Sequence, residues 1–196
     1  MTRVIAGAAR GRRLTVPAGR LTRPTSDRAR EGLFGTLVAL HGPMDGASVL
    51  DLYAGSGAVG LEALSRGARR ALFVEADARA ARVIRGNIQA VGLGGGELVT
   101  DRVERLLGRG RPGPERYDLA VADPPYAVTD DEVTAMLAAL DAGGWLAPGA
   151  VVAVERATRS GPVSWPPGYE SDRSRRYGDT TFWYGLAAGT HPVEEP

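Results

Sequence analysis

The stretch Ser48-Val-Leu-Asp-Leu-Tyr-Ala-Gly-Ser-Gly-Ala-Val-Gly60 joins a short apolar run to a glycine-rich turn. An apolar run of this length that is bounded by turn residues is typical of a buried strand. The glycines follow the spacing G-x-G-x-x-G, which allows a tight turn, a close approach of the backbone to a ligand and the start of a helix. Because dinucleotide sites and other nucleoside-binding sites share this spacing, it predicts a cofactor turn without identifying the cofactor.

Four more apolar runs follow this stretch along the chain. They have the pattern of buried parallel strands and span Ala71–Glu75, Glu97–Thr100, Tyr117–Ala122 and Ala150–Glu155. Between them lie helical patterns, notably over Asp77–Val91 and Asp130–Leu140. The alternation of strands and helices predicts a Rossmann-like, doubly wound α/β fold with a mainly parallel sheet.

The two ends of the chain depart from this alternation. Tyr169–Tyr177 and Thr180–Leu186 flank Gly178-Asp179, which predicts a hairpin that adds an antiparallel edge and brings the sheet to seven strands. Near the other end, Val4–Val16 predicts a short glycine-bearing ribbon, and an apolar stripe predicts a helix from Ser26 to Leu40.

These patterns divide the chain into three parts. We expect a basic ribbon or arm over residues 1–24, a main domain over residues 25–188 on which the helix of residues 26–40 packs, and a frayed tail over residues 189–196.

Composition excludes several classes of protein. The 196 residues include no cysteine and two histidines, so the sequence offers no disulfide framework or thiolate metal cluster and we expect no metal. No apolar run approaches the roughly 18 residues of a membrane span, and the first residues lack the pattern of a signal peptide. We therefore expect a cytoplasmic protein, and the small size makes a monomer the default expectation.

The charge is unevenly distributed along the chain. All 24 basic residues are arginine, and residues 1–30 hold eight of them with one acid, a net charge of +7 against −6 for the remainder. Arg10, Arg12, Arg13 and Arg20 lie in this segment. Because the guanidinium fork suits phosphate, they are candidate RNA-binding residues, with a merely solvated arm as the alternative.

A second motif, Asp123-Pro-Pro-Tyr126, follows the fourth predicted strand. Two prolines fix the backbone and leave carbonyls free, Asp123 adds an anionic acceptor and Tyr126 a flat stacking face. Such a platform can accept both hydrogens of an exocyclic amine and expose the nitrogen lone pair to an electrophilic methyl. The two motifs together predict a methyltransferase in which Asp123, Pro124, Pro125 and Tyr126 are the catalytic residues and S-adenosylmethionine is the donor.

Acids at the strand ends refine the predicted cofactor site. Asp51 could accept from the cofactor amino group or from amides of the turn, and Glu75 lies where a carboxylate accepts from both ribose hydroxyls. Asp101 could contact adenine or cap a helix, whereas for Asn87 we expect a packing or loop hydrogen bond. The predicted cofactor site comprises Asp51, Tyr53, Ala54, Gly55, Ser56, Gly57, Glu75, Ala76, Asp101 and Arg102.

The chain resembles the RsmD family of small-subunit ribosomal RNA guanine-N2 methyltransferases. The resemblance covers nearly the whole chain and rests on Arg12-Arg-Leu14, Arg23-Pro-Thr-Ser-Asp-Arg-Ala-Arg-Glu-Gly-Leu-Phe34, Leu50-Asp-Leu-Tyr-Ala-Gly-Ser-Gly57, Asp123-Pro-Pro-Tyr126 and Tyr177-Gly-Asp-Thr180. The segment from Arg23 to Phe34 is the most particular to the family. Two positions depart from the family pattern: Gly35, where asparagine is expected, and Arg102, where a small residue is more usual.

The resemblance implies a substrate and further site residues. It implies methyl transfer to the exocyclic amine of one guanine in 16S ribosomal RNA, with the assembled small subunit as substrate. It also implies that Arg23, Thr25, Arg30 and Glu31 lie beside the cofactor entrance, and of these Arg23 and Thr25 join the predicted cofactor site. A DNA adenine-N6 or cytosine-N4 methyltransferase, an NAD-dependent oxidoreductase and a non-enzymatic RNA-binding protein remain as alternatives.

Overall fold

The computed structural model describes residues 2–17 and 26–188 and confirms the Rossmann-like α/β fold with its seven-stranded sheet. A small ribbon is formed by β1 (Thr2–Arg3) and β2 (Arg13–Leu14), and the main sheet by β3 (Ser48–Leu52), β4 (Arg70–Val74), β5 (Gly96–Val99), β6 (Tyr117–Ala122), β7 (Leu146–Ala157), β8 (Tyr169–Tyr177) and β9 (Thr180–Ala187). The strand order is β5-β4-β3-β6-β7-β9-β8. The first five strands in this order are parallel, and the β8–β9 hairpin adds the predicted antiparallel edge.

In residues 2–17 and 26–188, five α-helices cover the two faces of the sheet: α1 (Asp27–His41), α2 (Ala58–Ser65), α3 (Ala78–Val91), α4 (Val103–Gly108) and α5 (Asp130–Ala142). Buried side chains of α1, α2 and α3 form one core with the sheet, and those of α4 and α5 form the other. This is the three-layer arrangement of a doubly wound fold. None of the helices in the described part of the chain is long and apolar enough to cross a membrane.

The fifth parallel strand is longer than the sequence indicates. The predicted strand covers Ala150–Glu155, whereas β7 runs from Leu146 to Ala157. Its first half contains Pro148-Gly149, a pair that argues against a strand in sequence analysis. The register against β6 is irregular at this point, between the pairs that Tyr117 and Leu119 make, and this irregularity accommodates the proline.

The N-terminal ribbon packs against α2. Both carboxylate oxygens of the buried Glu62 accept backbone hydrogen bonds from the ribbon, at 2.7 Å from Ile5 N and 3.0 Å from Ala6 N. Gly7 has a φ of 80°, and a Cβ there would lie 1.7 Å from the carbonyl oxygen of Ser65. The apolar side chains that the ribbon adds to the core are those of Val4, Ala9 and Leu14. The division of the chain into arm, main domain and tail stays a prediction, and its tail lies outside the described residues.

Candidate functional site

The two sequence motifs meet at the carboxyl ends of β3 and β6. These strands are neighbours at the point where the strand order reverses, since β4 extends the sheet on one side of β3 and β6 on the other. The amide of Asp123 lies 3.3 Å from the carbonyl oxygen of Leu52, which links the start of one motif to the end of the strand that carries the other. In open α/β sheets, ligands bind in the crevice at this position.

The glycine-rich turn has the backbone conformation that its residues predict. Gly55 and Gly57 have φ values of 60° and 76°, in the left-handed region that favours glycine, and Tyr53 adopts a φ of 59°. The amide of Gly57 donates to the carbonyl of Ala54 at 2.7 Å, and α2 begins at the next residue, Ala58. The turn therefore presents backbone and a helix start toward the crevice, which suits a nucleoside-bearing ligand.

Asp51, in β3, is a buried acid that hydrogen-bonds to the end of the glycine motif. Its Oδ2 accepts a hydrogen bond from Gly60 N at 2.9 Å, so its contact in this structure is with the last glycine of the motif, in the first turn of α2. Burial raises the pKa of this carboxyl to about 8; the Gly60 hydrogen bond opposes the shift, and the nearby charge of Glu75 adds to it. The Asp51 carboxyl is therefore more readily protonated than that of an exposed aspartate.

Glu75 holds the same turn from the end of β4. Its Oε2 accepts from Gly55 N at 2.8 Å and its Oε1 from Asp77 N at 2.9 Å. Each carboxylate oxygen can accept more than one hydrogen bond, so these contacts are compatible with the ribose hydroxyls that we expect here. The ribose contact stays a prediction, and the structure adds a loop-holding role to it.

Asn87 links the glycine-rich turn to the N-terminal ribbon. Its Nδ2 donates to Ser56 O at 2.8 Å and to Thr15 O at 2.9 Å, and its Oδ1 accepts from Thr15 N at 2.9 Å. The side chain is buried, and these bonds use both amide hydrogens and the carbonyl oxygen. This is the loop hydrogen bond that the sequence indicates.

Around the predicted adenine position the polar side chains bond to one another. Asp101 pairs with Arg109 at 3.1 Å and accepts from the amide of Arg102, the residue directly before α4. The hydroxyl of Tyr53 donates to Glu104 at 2.7 Å, and burial raises its pKa. Asp101 thus bonds to residues in and around α4 without capping the helix, and an adenine contact by Asp101 or Arg102 stays a prediction.

Asp123-Pro-Pro-Tyr126 forms a platform directly after the carboxyl end of β6. Pro124 is buried, whereas Asp123 and Pro125 are exposed and Tyr126 is 61% exposed. The carbonyl of Pro125 accepts from Val128 N at 2.9 Å and closes the turn after Tyr126. The motif therefore offers an exposed carboxylate and an exposed ring on a fixed backbone, as the amine-gripping prediction requires.

Two residues of β7 that the sequence analysis did not select complete the platform. Arg156 is largely buried, and its Nη2 donates to Val128 O at 3.0 Å and to Asp130 Oδ1 at 2.8 Å, which holds the chain between the platform and α5. Glu155 lines a small cavity together with Asp123, Pro124 and Tyr126. A Glu-Arg pair at a strand end is a common pattern, so only the pairing of β6 with β7 reveals these roles.

The structure describes some of the predicted N-terminal site residues, and others lie outside the described part of the chain. Arg10, Arg12 and Arg13 are exposed on the ribbon, and Arg12 donates to the carbonyl of Ala90 at the end of α3. Arg20, Arg23 and Thr25 lie outside the described residues.

The two other residues that the resemblance implies at the cofactor entrance differ in exposure. Arg30 is buried in α1, where its Nη2 donates to the carbonyl of Arg3 and to Asp27, whereas Glu31 is exposed. The contacts of Arg30 are thus with the first strand of the ribbon and with its own helix.

Comparison with known proteins identifies related chains. The sequence profile of the family described as "Conserved hypothetical protein 95" matches residues 2–185. Ribosomal RNA small subunit methyltransferase D of Escherichia coli K12 is 34% identical over 181 residues, which are 92% of this chain and 87% of that protein. The protein of the same name from Haemophilus influenzae is 34% identical over 155 residues, which are 78% and 77% of the two chains.

Solved structures show the same architecture. The structure of yhhF, a candidate methyltransferase from Escherichia coli, superimposes with a TM-score of 0.82 at 30% identity and covers 96% of this chain and 98% of that one. A hypothetical protein from Thermus thermophilus superimposes with a TM-score of 0.77 at 33% identity, over 94% and 98% of the two chains. The likeness thus extends from the sheet to the ribbon and the hairpin.

Proposed function

This chain belongs to the Conserved hypothetical protein 95 family, the RsmD family of methyltransferases, and we propose that it methylates N2 of one guanine in 16S ribosomal RNA. The donor is S-adenosylmethionine, and the substrate is the small ribosomal subunit. The relatives named ribosomal RNA small subunit methyltransferase D support this assignment through their similarity over most of the chain.

The observation that carries the proposal is the junction of the two motifs. The hydrogen bond between Asp123 N and Leu52 O fixes the platform beside the glycine-rich turn. A cofactor in the turn and an amine on the platform would therefore be neighbours, and positioning of this kind supplies most of the catalysis in methyl transfer. An oxidoreductase that used the same turn would give the platform no role.

The residues of the turn fit S-adenosylmethionine. Gly55 and Gly57 let the backbone approach the ligand, and the carboxylate of Glu75 is placed at the strand end to accept from ribose hydroxyls. When bound, the cofactor supplies an electrophilic methyl group on a sulfonium.

The platform residues prepare the amine. The carboxylate of Asp123 and the carbonyl of Pro124 accept the two N2 hydrogens, so that the lone pair points away from the base plane. Tyr126 stacks on the base, which is turned out of its helix. Asp123 is also placed to accept the proton that the nitrogen loses after transfer.

The carboxylate of Glu155 favours guanine over adenine and cytosine. Ala122 of β6 pairs with Val154 of β7, so the next pair in register is Asp123 and Glu155, and both side chains line one cavity. Guanine has an N1–H donor beside its amine, whereas adenine and cytosine have a ring-nitrogen acceptor beside theirs. A second carboxylate next to the amine site therefore attracts guanine and repels the targets of the DNA-methyltransferase alternative.

The test is methyl transfer from labelled S-adenosylmethionine to unmethylated small subunits, with naked 16S RNA and duplex DNA in parallel. We expect label in N2-methylguanosine from subunits.

Asp123→Ala should abolish transfer and leave cofactor affinity unchanged, and Asp172→Ala, which removes an acid of β8, is the matched control. Label confined to methyladenine or methylcytosine in DNA would overturn the substrate, and normal turnover by Asp123→Ala would overturn the mechanism.

A further inference from the structure

A second and larger cavity opens beside the platform. It has a volume of about 500 Å³ and is lined by Tyr126, Ala157, Thr158, Arg159, Arg176 and Asp179. Tyr126 lines both this cavity and the smaller one that contains Asp123. We refer to the larger cavity as the hairpin cleft because Arg176 and Asp179 belong to the β8–β9 hairpin.

Hydrogen bonds fix the floor of the hairpin cleft. Thr158 N donates to Asp179 O at 2.8 Å, and Arg176 Nε donates to Gly178 O at 2.9 Å. The hydroxyl of Thr158 lies 3.0 Å from that of Thr181. The hairpin turn is part of the segment Tyr177–Thr180, which the family resemblance includes and to which the proposed chemistry gives no role.

The charge of the cleft suits a phosphate diester. Arg159 and Arg176 are exposed cations, and Asp179 is the one acid among the residues that line the cleft. The bond from Arg176 to the turn uses Nε alone of a group with five N–H donors, so the fork that matches two phosphate oxygens is not consumed by it. The volume accommodates a nucleotide beside the exposed ring of Tyr126.

We propose that the hairpin cleft binds the nucleotide that adjoins the target guanine, with Arg159 and Arg176 on its backbone phosphate. This inference rests on the proposed function and extends it to the path of the RNA. A base that leaves its stack needs its flanking backbone held in place, and the cleft, which shares Tyr126 with the cavity of Asp123, provides that hold. The hairpin is then an RNA-contacting element in addition to the N-terminal ribbon.

Kinetics with a matched control test the contribution of the two arginines. Arg159→Gln/Arg176→Gln should raise the KM for small subunits about tenfold, lower the salt slope of RNA binding by about 1 to 2, and leave the Tm and the affinity for S-adenosylmethionine unchanged. The control is Arg69→Gln/Arg116→Gln, which removes the same charge directly before β4 and β6, at the amino ends of these strands. Because Arg69 also bonds to Ser48 and Glu115, the Tm of this control is measured as well. Equal KM values and salt slopes for the two double variants would overturn the inference.

Cross-linking tests where the RNA lies, because the chain contains no cysteine and one can be introduced alone. Arg159→Cys carrying a photoactivatable cross-linker should attach to a nucleotide within one or two positions of the methylated guanine, and Arg116→Cys should not. Attachment of the Arg159→Cys protein only to distant nucleotides, or to none, contradicts the inference. Wild-type protein that fails to methylate guanine would instead contradict the proposed function, so the two failures are distinguishable.

Discussion

Asp51 and Glu75 show that the acids at the cofactor turn shape the turn itself. Each accepts a hydrogen bond from a glycine amide of the motif, Gly60 for Asp51 and Gly55 for Glu75. Both carboxyls are almost fully buried, which is costly for a charged group unless it is paired or protonated. Burial raises the pKa of Asp51 to about 8, and the nearby charge of Glu75 adds to the shift.

Asp51→Asn should change the pH dependence of stability. The pKa of Asp51 is about 8 in the folded protein and near 3.8 in the unfolded chain, so between these values the folded state binds more protons. Its contribution therefore lowers the free energy of unfolding as pH rises from about 4 to 8, by at most about 1.4 kcal/mol per pH unit. Urea denaturation of both proteins at pH 5 to 8 measures this, and we expect the stability of Asp51→Asn relative to wild type to increase with pH. If the free energies of unfolding of the two proteins changed in parallel with pH, the raised pKa of Asp51 would be contradicted.

Glu155→Gln should weaken the preference for guanine. The substrates are small subunits reconstituted with guanine or 2-aminopurine at the target position, since 2-aminopurine keeps the amine but has an acceptor at N1. Wild-type protein should methylate guanine faster by roughly 10- to 100-fold in kcat/KM, as expected for a well-placed base contact. Glutamine can donate to the N1 acceptor, so the variant should narrow this ratio; Glu170→Gln on β8 is the control. An unchanged ratio in Glu155→Gln would remove Glu155 from base selection.

The side chains of the site differ in how far sequence could predict them. The positions of Asp51 and Glu75 at strand ends follow from their spacing to the glycine-rich turn, whereas for Asn87 the sequence indicates only a packing or loop hydrogen bond. Glu155 and Arg156 gain their roles from the register of β7 against β6, which no local pattern encodes. The buried position of Arg30 was also beyond prediction, since its partners Arg3 and Asp27 belong to different elements.

At the scale of elements, alanine substitutions at two helix glycines should change the stability of the protein in opposite directions. A Cβ at Gly60 of α2 would lie 2.3 Å from Cε1 of Phe73 in β4, so Gly60→Ala should destabilise the protein by about 1 to 3 kcal/mol through overpacking. A Cβ at Gly35 of α1 meets no atom within 4 Å, so Gly35→Ala should stabilise it by about 1 kcal/mol. Thermal denaturation measures both, and adding Phe73→Leu to Gly60→Ala should restore part of the loss. Equal shifts for the two alanine variants would contradict the packing argument.

The elements that sequence predicted best are those with a long or strictly periodic pattern. The hairpin, α1 and α3 were found within about one residue of their observed limits. Two short helices, α2 and α4, were not delimited, because eight and six residues are too few to establish a helical period. Their position depends on packing against the sheet, where Leu61 and Leu106 are buried on opposite faces.

For the whole molecule, the uneven charge predicts salt-dependent RNA binding. Arg10→Gln/Arg12→Gln/Arg13→Gln should weaken RNA binding and reduce the slope of log affinity against log salt by up to about 3, since each arginine that binds a phosphate adds about 1 to the slope. Arg12 also bonds to Ala90 O, so the single variant Arg12→Gln is measured alongside to separate loosening of the ribbon from loss of charge. Filter binding to 16S RNA from about 50 to about 300 mM salt, a range that includes physiological values, measures the slope. An unchanged slope in the triple variant would remove the ribbon from the RNA interface.

The buried side-chain amide of Asn87 couples the position of the ribbon to the position of the glycine-rich turn. One side chain bonds to Thr15 on the ribbon and to Ser56 on the turn, so neither segment can shift without strain on the other. If a ligand at the turn favours one placement of the ribbon, then a ligand that binds the ribbon in that placement favours binding at the turn by the same factor. Two ligands bound at these two segments would therefore change each other's affinity equally, whichever of them binds first.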